Sequence, residues 1–202
     1  MQIDISETPV MQTYQWLVSL VTPRPIAWVT TQSATGVVNL APFSFYNTFG
    51  ANPPVVVFSP VLTQNGGKKD TLNNIEQTSE FVIHAATQRD VQAINASSAM
   101  IPSEESEVEM LGLRTLPSKR IAVPRLADVP FAMECRLRQI IPIGDGPISA
   151  NLVIGEVLMI HLDDAILGED GKVDPRKLSA VARLGGDYWC SSTDLFEIKR
   201  PG

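Results

Sequence analysis

Cysteine and histidine are scarce: the chain holds Cys135 and Cys190, His84 and His161, and no others of either kind. There is no CxxC motif, and neither cysteine has a histidine near it in sequence. A disulfide framework and a zinc site are both poor readings of that pattern. Two isolated cysteines read instead as small buried hydrophobes in a reducing compartment, and a cytoplasmic location is expected. "HLDD" at 161–164 offers half a metal site with nothing to complete it, so no metal is expected. Catalytic motifs are missing too. GxSxG is absent, "NGGKK" opens no Walker loop, and "LGG" and "GDG" fall short of a dinucleotide fingerprint. No run of 18 apolar residues exists, which argues against a membrane span, and the opening "MQIDISETPV" is too acidic and polar for a signal peptide. The net charge of −6 supplies no concentrated basic face, so nucleic acid is not an expected partner. Neither an internal repeat nor a break in composition divides the 202 residues, which read as one domain.

The largest gap is one of charge. The 43 residues from Pro25 to Gly67 contain no Asp, Glu, Lys, Arg or His, and "KKD" follows at 68–70. The plain reading of such a window is strands buried on both faces. Within it, however, Asn39, Ser44, Asn47 and Ser59 would need hydrogen-bond partners in an apolar setting, and a polar heterocycle would provide them. Pro42 cannot donate to a ladder, so pairing is expected to be interrupted there, freeing neighbouring backbone groups. "KKDTLNNI" reads either as an ordinary capped helix start or as an anion site, where backbone N–H groups, the helix dipole and an ammonium favour a phosphate.

What is present is mostly strand. "TYQWLVSL" (13–20) suggests a short helix. "PIAWVTT" (25–31) pairs in a hairpin with one long strand, "VVNLAPFSFYN", and "VVVFS" (55–59) reads as fully buried. A helix capped by Asp70 or Thr71 runs to about Gln77, and a strand follows from Glu80 to Ala85. Further short helices are expected in "RDVQAINASSA" and in the acidic "SEESEVEMLGL", the latter a solvated face. From Phe131 the pattern alternates, with Phe131, Met133, Cys135 and Leu137 on one side and Glu134, Arg136 and Arg138 on a wet side. "NLVIGEVLMIHL" (151–162) is apolar on both faces and so central. Long amphipathic helices between strands are missing, which favours a closed barrel over a parallel α/β sheet.

"TPRPIAWVTTQSATGVVNLAPFSFYN", "PPVVVFS", "KKDTLNNIEQTSEFVIH", "MECRL", "VIGEV", "DGKVD" and "ARLGGDYW" occur in this order. Together they resemble the flavin reductase-like family of FMN-binding split β-barrel proteins, over roughly residues 10 to 190. The resemblance implies a mainly β fold, a six-stranded Greek-key split barrel with short peripheral helices, working as a homodimer with FMN near the subunit interface. It implies that Asn39, Ala41, Pro42, Phe43 and Ser44 line the flavin ring, with Thr30, Thr31 and Ser59 close by. Lys69 and Thr71 would reach the phosphate, with Lys68 the alternative to Lys69, and Arg183 would approach the flavin late in the chain. Trp28, Phe43 and Phe45 either cover the ring or belong to the core. FMN is the implied cofactor, FAD its alternative, and NADH or NADPH the donor to a flavin reductase; a protein electron acceptor is a further partner. No residue takes a catalytic label, because the flavin carries the chemistry. The competing function is an FMN-binding electron carrier that does not use a nicotinamide.

Overall fold

The computed structural model describes residues 1–201. In chain order it forms α1 (Val10–Leu20), β1 (Arg24–Pro25), β2 (Ala27–Gln32), β3 (Val38–Phe43), β4 (Tyr46–Ala51), β5 (Pro54–Phe58), α2 (Asp70–Thr78) and β6 (Glu80–His84). After these come α3 (Val91–Ala96), α4 (Glu107–Met110), β7 (Thr115–Leu116), β8 (Arg125–Leu126), β9 (Phe131–Ile143), β10 (Ala150–Leu162), α5 (Pro175–Leu178), β11 (Val181–Arg183) and β12 (Trp189–Ser191).

Seven strands make the main sheet in the order β3-β2-β6-β9-β10-β5-β4, every pair antiparallel. Its two edges, β3 and β4, are consecutive in the chain and separated only by Ser44 and Phe45. Three backbone steps span at most about 11 Å, so the sheet must curl until its edges meet. The Phe43 and Phe58 rings, from β3 and β5, accordingly lie 5.2 Å apart inside it. Because β3 and β4 are not paired, the barrel is split along that seam.

This corrects two expectations. The sheet has seven strands, not six, because "VVNLAPFSFYN" is not one strand: it breaks at Ser44–Phe45, where the chain crosses the seam. Pairing is also not interrupted at Pro42, which sits opposite Trp28 while Phe43 still faces Ala27. An edge strand tolerates a missing donor on its open side.

Burial explains only part of the charge-free window. Ala27, Val29, Phe43, Val56, Phe58, Phe81, Ile83, Cys135 and Val153 fill the barrel, and α2 adds Leu72 and Ile75 to that cluster. Outside, Ile26, Trp28, Leu40, Ile94, Val108, Leu126 and Val181 form a second layer. Thus β2 is covered on both faces, as its lack of charge requires. β4 is not: it lies largely exposed, with Phe49 at 69%.

On β9 the apolar face is as expected, with Cys135 in the core and Met133 and Leu137 packed against it. The opposite face is not uniformly wet. Glu134 is fully buried, accepting from the amides of Lys119 and Arg120 at 2.8 and 2.6 Å and contacting His161 Nε2 at 2.5 Å. A carboxylate can be buried there because each of its oxygens has a hydrogen-bond partner.

Gly155 lets β10 approach the core. A Cβ at this position would stand 2.3 Å from Cζ of the buried Phe81, whose ring packs 5.4 Å from Phe58. Gly155→Ala is therefore expected to cost about 1–3 kcal/mol by overpacking, read as a lower urea midpoint. Gly146→Ala, with nothing within 4 Å, is the control. Equal midpoints for both variants would refute the close-packing account.

Candidate functional site

The site begins at the free edge of β3. The Leu40 amide donates to Glu107 Oε2 at 2.9 Å, and Ser106 Oγ donates to the Val38 carbonyl at 2.5 Å. Side chains from the start of α4 thus stand in for a neighbouring strand, one way of managing an edge. The acidic segment is the solvated face expected of it at Glu104, Glu105 and Glu109, which are exposed, but not at Glu107, which is buried; desolvation raises the Glu107 pKa, with Asp70 pushing in the same direction. Two residues past Leu40 comes Pro42, which has no N–H to leave unpaired. From there the edge is open, and a cleft of about 630 Å³ runs beside it.

At the other end of this cleft stands the N-terminus of α2. Lys69, not Asp70 or Thr71, occupies the cap position, and no side chain caps the helix. The amides that open a helix have no acceptor within it, and they form the positive end of its dipole. The two lysines part company here. Lys68 Nζ is held by both oxygens of Glu76 at 2.7 Å. Lys69 forms no ion pair among the described residues, and its Nζ lies 5.6 Å from the centre of the Phe43 ring. It opens onto the cleft, yet enough protein surrounds its ammonium that desolvation lowers its pKa from the ordinary lysine value. An unpaired, partly desolvated cation beside a helix N-terminus favours an anion.

Beneath lies a buried polar network. Asn39 Nδ2 donates to Thr71 Oγ1 at 2.9 Å and to Thr31 Oγ1 at 3.4 Å, and Asn74 Nδ2 donates to Thr31 Oγ1 at 3.1 Å. It ties β2, β3 and α2 together, fixing the helix N-terminus relative to the sheet edge. Thr71 Oγ1 accepts from Asn39 and keeps its own O–H to donate.

A second lobe, of about 400 Å³, adjoins the first. Both are lined by Tyr14, Pro42 and Ser98. Its far wall holds Arg24, Ser44, Arg183 and Trp189. Among the sequence-predicted residues, Asn39, Ala41, Pro42, Lys69 and Thr71 line the larger lobe, while Pro42, Ser44 and Arg183 line the smaller. Thr31 supports the network from below. Three others stand apart: Thr30 Oγ1 donates to the Pro124 carbonyl at 2.8 Å, Ser59 Oγ accepts from the Asn151 amide at 3.2 Å, and Phe43 packs into the barrel. Sequence reasoning missed Tyr14, Ser98, Glu107, Arg24 and Trp189. No local signal marks Ser98 or Trp189, whereas Arg24 had one, as the last charge before the neutral window. Among the described residues no group of three or more His, Cys, Asp and Glu could hold a metal ion, and no helix is long and apolar enough to cross a membrane.

A family model described as the flavin reductase like domain matches residues 19–176. The chain is 41% identical over 192 residues to the uncharacterized protein BH2278 of Halalkalibacterium halodurans, covering 94% of this chain and 91% of that protein. It resembles the crystal structure of nitrilotriacetate monooxygenase component B from Bacillus cereus, with a TM-score of 0.92, 34% identity and 98% of each chain covered. It also resembles the 2-nitrobenzoate 2-nitroreductase NbaA of Pseudomonas fluorescens, with a TM-score of 0.86 and 31% identity, over 100% of this chain and 96% of that one.

Proposed function

We propose a function from one premise: the chain belongs to the flavin reductase-like family. It binds FMN in the larger lobe and acts as an oxidoreductase, taking a hydride from NADH or NADPH onto the flavin. The carrying observation is Lys69, an unpaired cation beside the N-terminus of α2 at one end of a cleft whose wall is the open edge of β3. These residues fit FMN, which has one anionic tail and one flat amphipathic ring. When bound, FMN supplies the hydride-accepting chemistry. The protein's part is to bind, orient and exclude water. Lys69 and the first amides of α2 hold the phosphate, aided by the Thr71 hydroxyl. The Asn39–Thr31–Asn74 network keeps that end fixed, and the backbone around Pro42 and Ser44 faces the ring. The smaller lobe leaves space for a second ligand, which favours an enzyme over a simple carrier. The oxidoreductase names of the two similar structures support the same class and allow a small organic molecule or a partner protein as acceptor.

Purified protein exposed to excess FMN should retain about one flavin per chain after gel filtration, and anaerobic NADH or NADPH should bleach its visible absorption. Failure to retain FMN or FAD would refute the reading. Retention without bleaching by either nucleotide would favour the electron carrier.

The active form we propose is a homodimer. α1 carries no charged residue, yet exposes Val10, Met11, Leu17 and Leu20, with Val21 just beyond. Tyr14 meets Phe45 edge-on at 6.3 Å, which joins α1 to the seam beside the cleft. Uncharged β4 adds Phe49. An apolar surface of this kind needs a cover, and a two-fold copy supplies one for both chains. Sedimentation velocity should find a dimer, and Leu20→Glu should shift it toward monomer. A monomeric wild-type protein that still holds FMN tightly would contradict the shared surface.

A further inference from the structure

The smaller lobe has an electrostatic peculiarity. Arg24 and Arg183 face each other directly across the β1–β11 pair. Like charges in that arrangement repel, and neither arginine forms an ion pair among the described residues. Among the described residues that line the lobe, the one carboxylate is Asp187, exposed at its rim. In a chain of net charge −6 this is a local excess of positive charge.

The two guanidinium groups are used differently. Arg24 is buried and committed: it donates to the carbonyls of Val18, Val21 and Leu184 and, at 3.3 Å, to Ser44 Oγ. It contributes charge but few free donors. Arg183 spends one nitrogen on the Gly186 carbonyl at 2.7 Å and lies 4.8 Å over the Trp189 ring. The ring contact and the Gly186 bond hold the guanidinium at this wall, and its other N–H groups make no hydrogen bond among the described residues. A held, planar fork is the form that takes a carboxylate in two parallel hydrogen bonds. The remaining walls are mixed: Tyr14, Ile26, Val18 and Ile94 give flat or apolar contact, while Gln15 and Asn95 give neutral polar contact. At about 400 Å³ the lobe is near the small end of the roughly 300–1,000 Å³ typical of ligand pockets. That size suits one ring and leaves a whole dinucleotide largely outside.

We propose that this lobe is a subsite for a one-ring aromatic acid, with Arg183 receiving the carboxylate while the ring lies toward Pro42, where the two lobes meet. The proposal rests on the oxidoreductase reading, because that junction is where a second ligand would meet the flavin.

The test is calorimetric titration of benzoate and of its neutral counterpart benzamide into the FMN-loaded protein, with flavin retention scored beforehand by absorbance. Benzoate should bind at least about tenfold tighter than benzamide. Arg183→Met, which keeps a stem against Trp189, should weaken benzoate roughly ten- to a hundredfold and leave benzamide unchanged. Arg183→Lys should recover only part of the loss, since a point charge lacks the fork. Equal affinity for the acid and the amide, or binding of neither, would overturn the proposal. So would an Arg183→Met variant that weakens NADH while benzoate has no measurable affinity, because the lobe would then serve the donor. Should FMN not be retained, the oxidoreductase reading fails on its own, and the same titration of the flavin-free protein still decides whether Arg183 recognises a carboxylate.

Discussion

Lys69→Ala should weaken FMN binding about ten- to a hundredfold and leave riboflavin within about twofold of its wild-type affinity. The size follows from one charge-assisted hydrogen bond, worth roughly 1.5–3 kcal/mol. The selectivity follows from place: Lys69 stands at the α2 end of the cleft, where a phosphate meets the helix amides. Riboflavin has no phosphate and loses nothing there. Lys68→Ala is the internal control. Its ammonium is engaged by Glu76 on the exposed surface, so its removal should alter FMN affinity by less than about threefold, a surface pair being worth little. Fluorescence titration of both flavins against the three proteins measures all of this. Equal loss of FMN and riboflavin in Lys69→Ala would mean that the substitution damages the wall around Phe43, over which the lysine lies. A larger effect at Lys68 than at Lys69 would reverse the assignment.

The contrast between the two lysines shows what a sequence can and cannot carry. "KKD" signals positive charge before a helix, and that much is local. Which lysine is free depends on Glu76, almost two helical turns along α2, and on how the chain enters the helix at the cap. The barrel was legible from short strands and absent long helices, because strand period and connection length are local properties. The seventh strand was not. Nothing in "NLAPFSFYN" says that its two halves lie at opposite edges of a sheet, since that break is a consequence of closure and not of propensity. Asn39 drew attention as a polar residue in an apolar run, and it does line the cleft. Its partners, though, are Thr31 and Thr71, brought to it by pairing and by the docking of α2. Thr30 and Thr31 look equivalent in sequence. Alternation along β2 sends one to Pro124 on the outside and the other to the network beneath the site. Glu107 was read as solvated from its acidic neighbours, yet the exposed edge of β3 had two backbone groups to satisfy and took it.

Acid should destabilise the fold well before its carboxylates titrate fully, and His84 is the reason. The side chain is fully buried at the β2–β6 pair, opposite Trp28. The Leu126 amide donates to Nε2 at 3.0 Å, so Nδ1 carries the proton and donates to the Trp28 carbonyl at 2.9 Å. That is a neutral imidazole with both nitrogens satisfied. Burial is the main force holding its pKa down from 6.5 to about 4, opposed by the Trp28 bond and reinforced by nearby Arg125. The sign is set by proton counts. Between about 6.5 and about 4 the unfolded chain binds a proton at this residue and the folded chain does not, so stability falls as pH falls through that window and rises with pH across it. At 1.36 kcal/mol per pH unit the interval from 6.5 to about 4 is worth about 3 kcal/mol, a large part of the roughly 5–15 kcal/mol that holds a domain together. Urea unfolding at pH 7, 6 and 5 separates this loss from that of the carboxylates, most of which titrate lower. His84→Gln should be less stable than wild type at pH 7 and markedly flatter between pH 7 and 5. A wild-type midpoint that does not move between pH 7 and 5 would show that His84 is not held neutral by the fold.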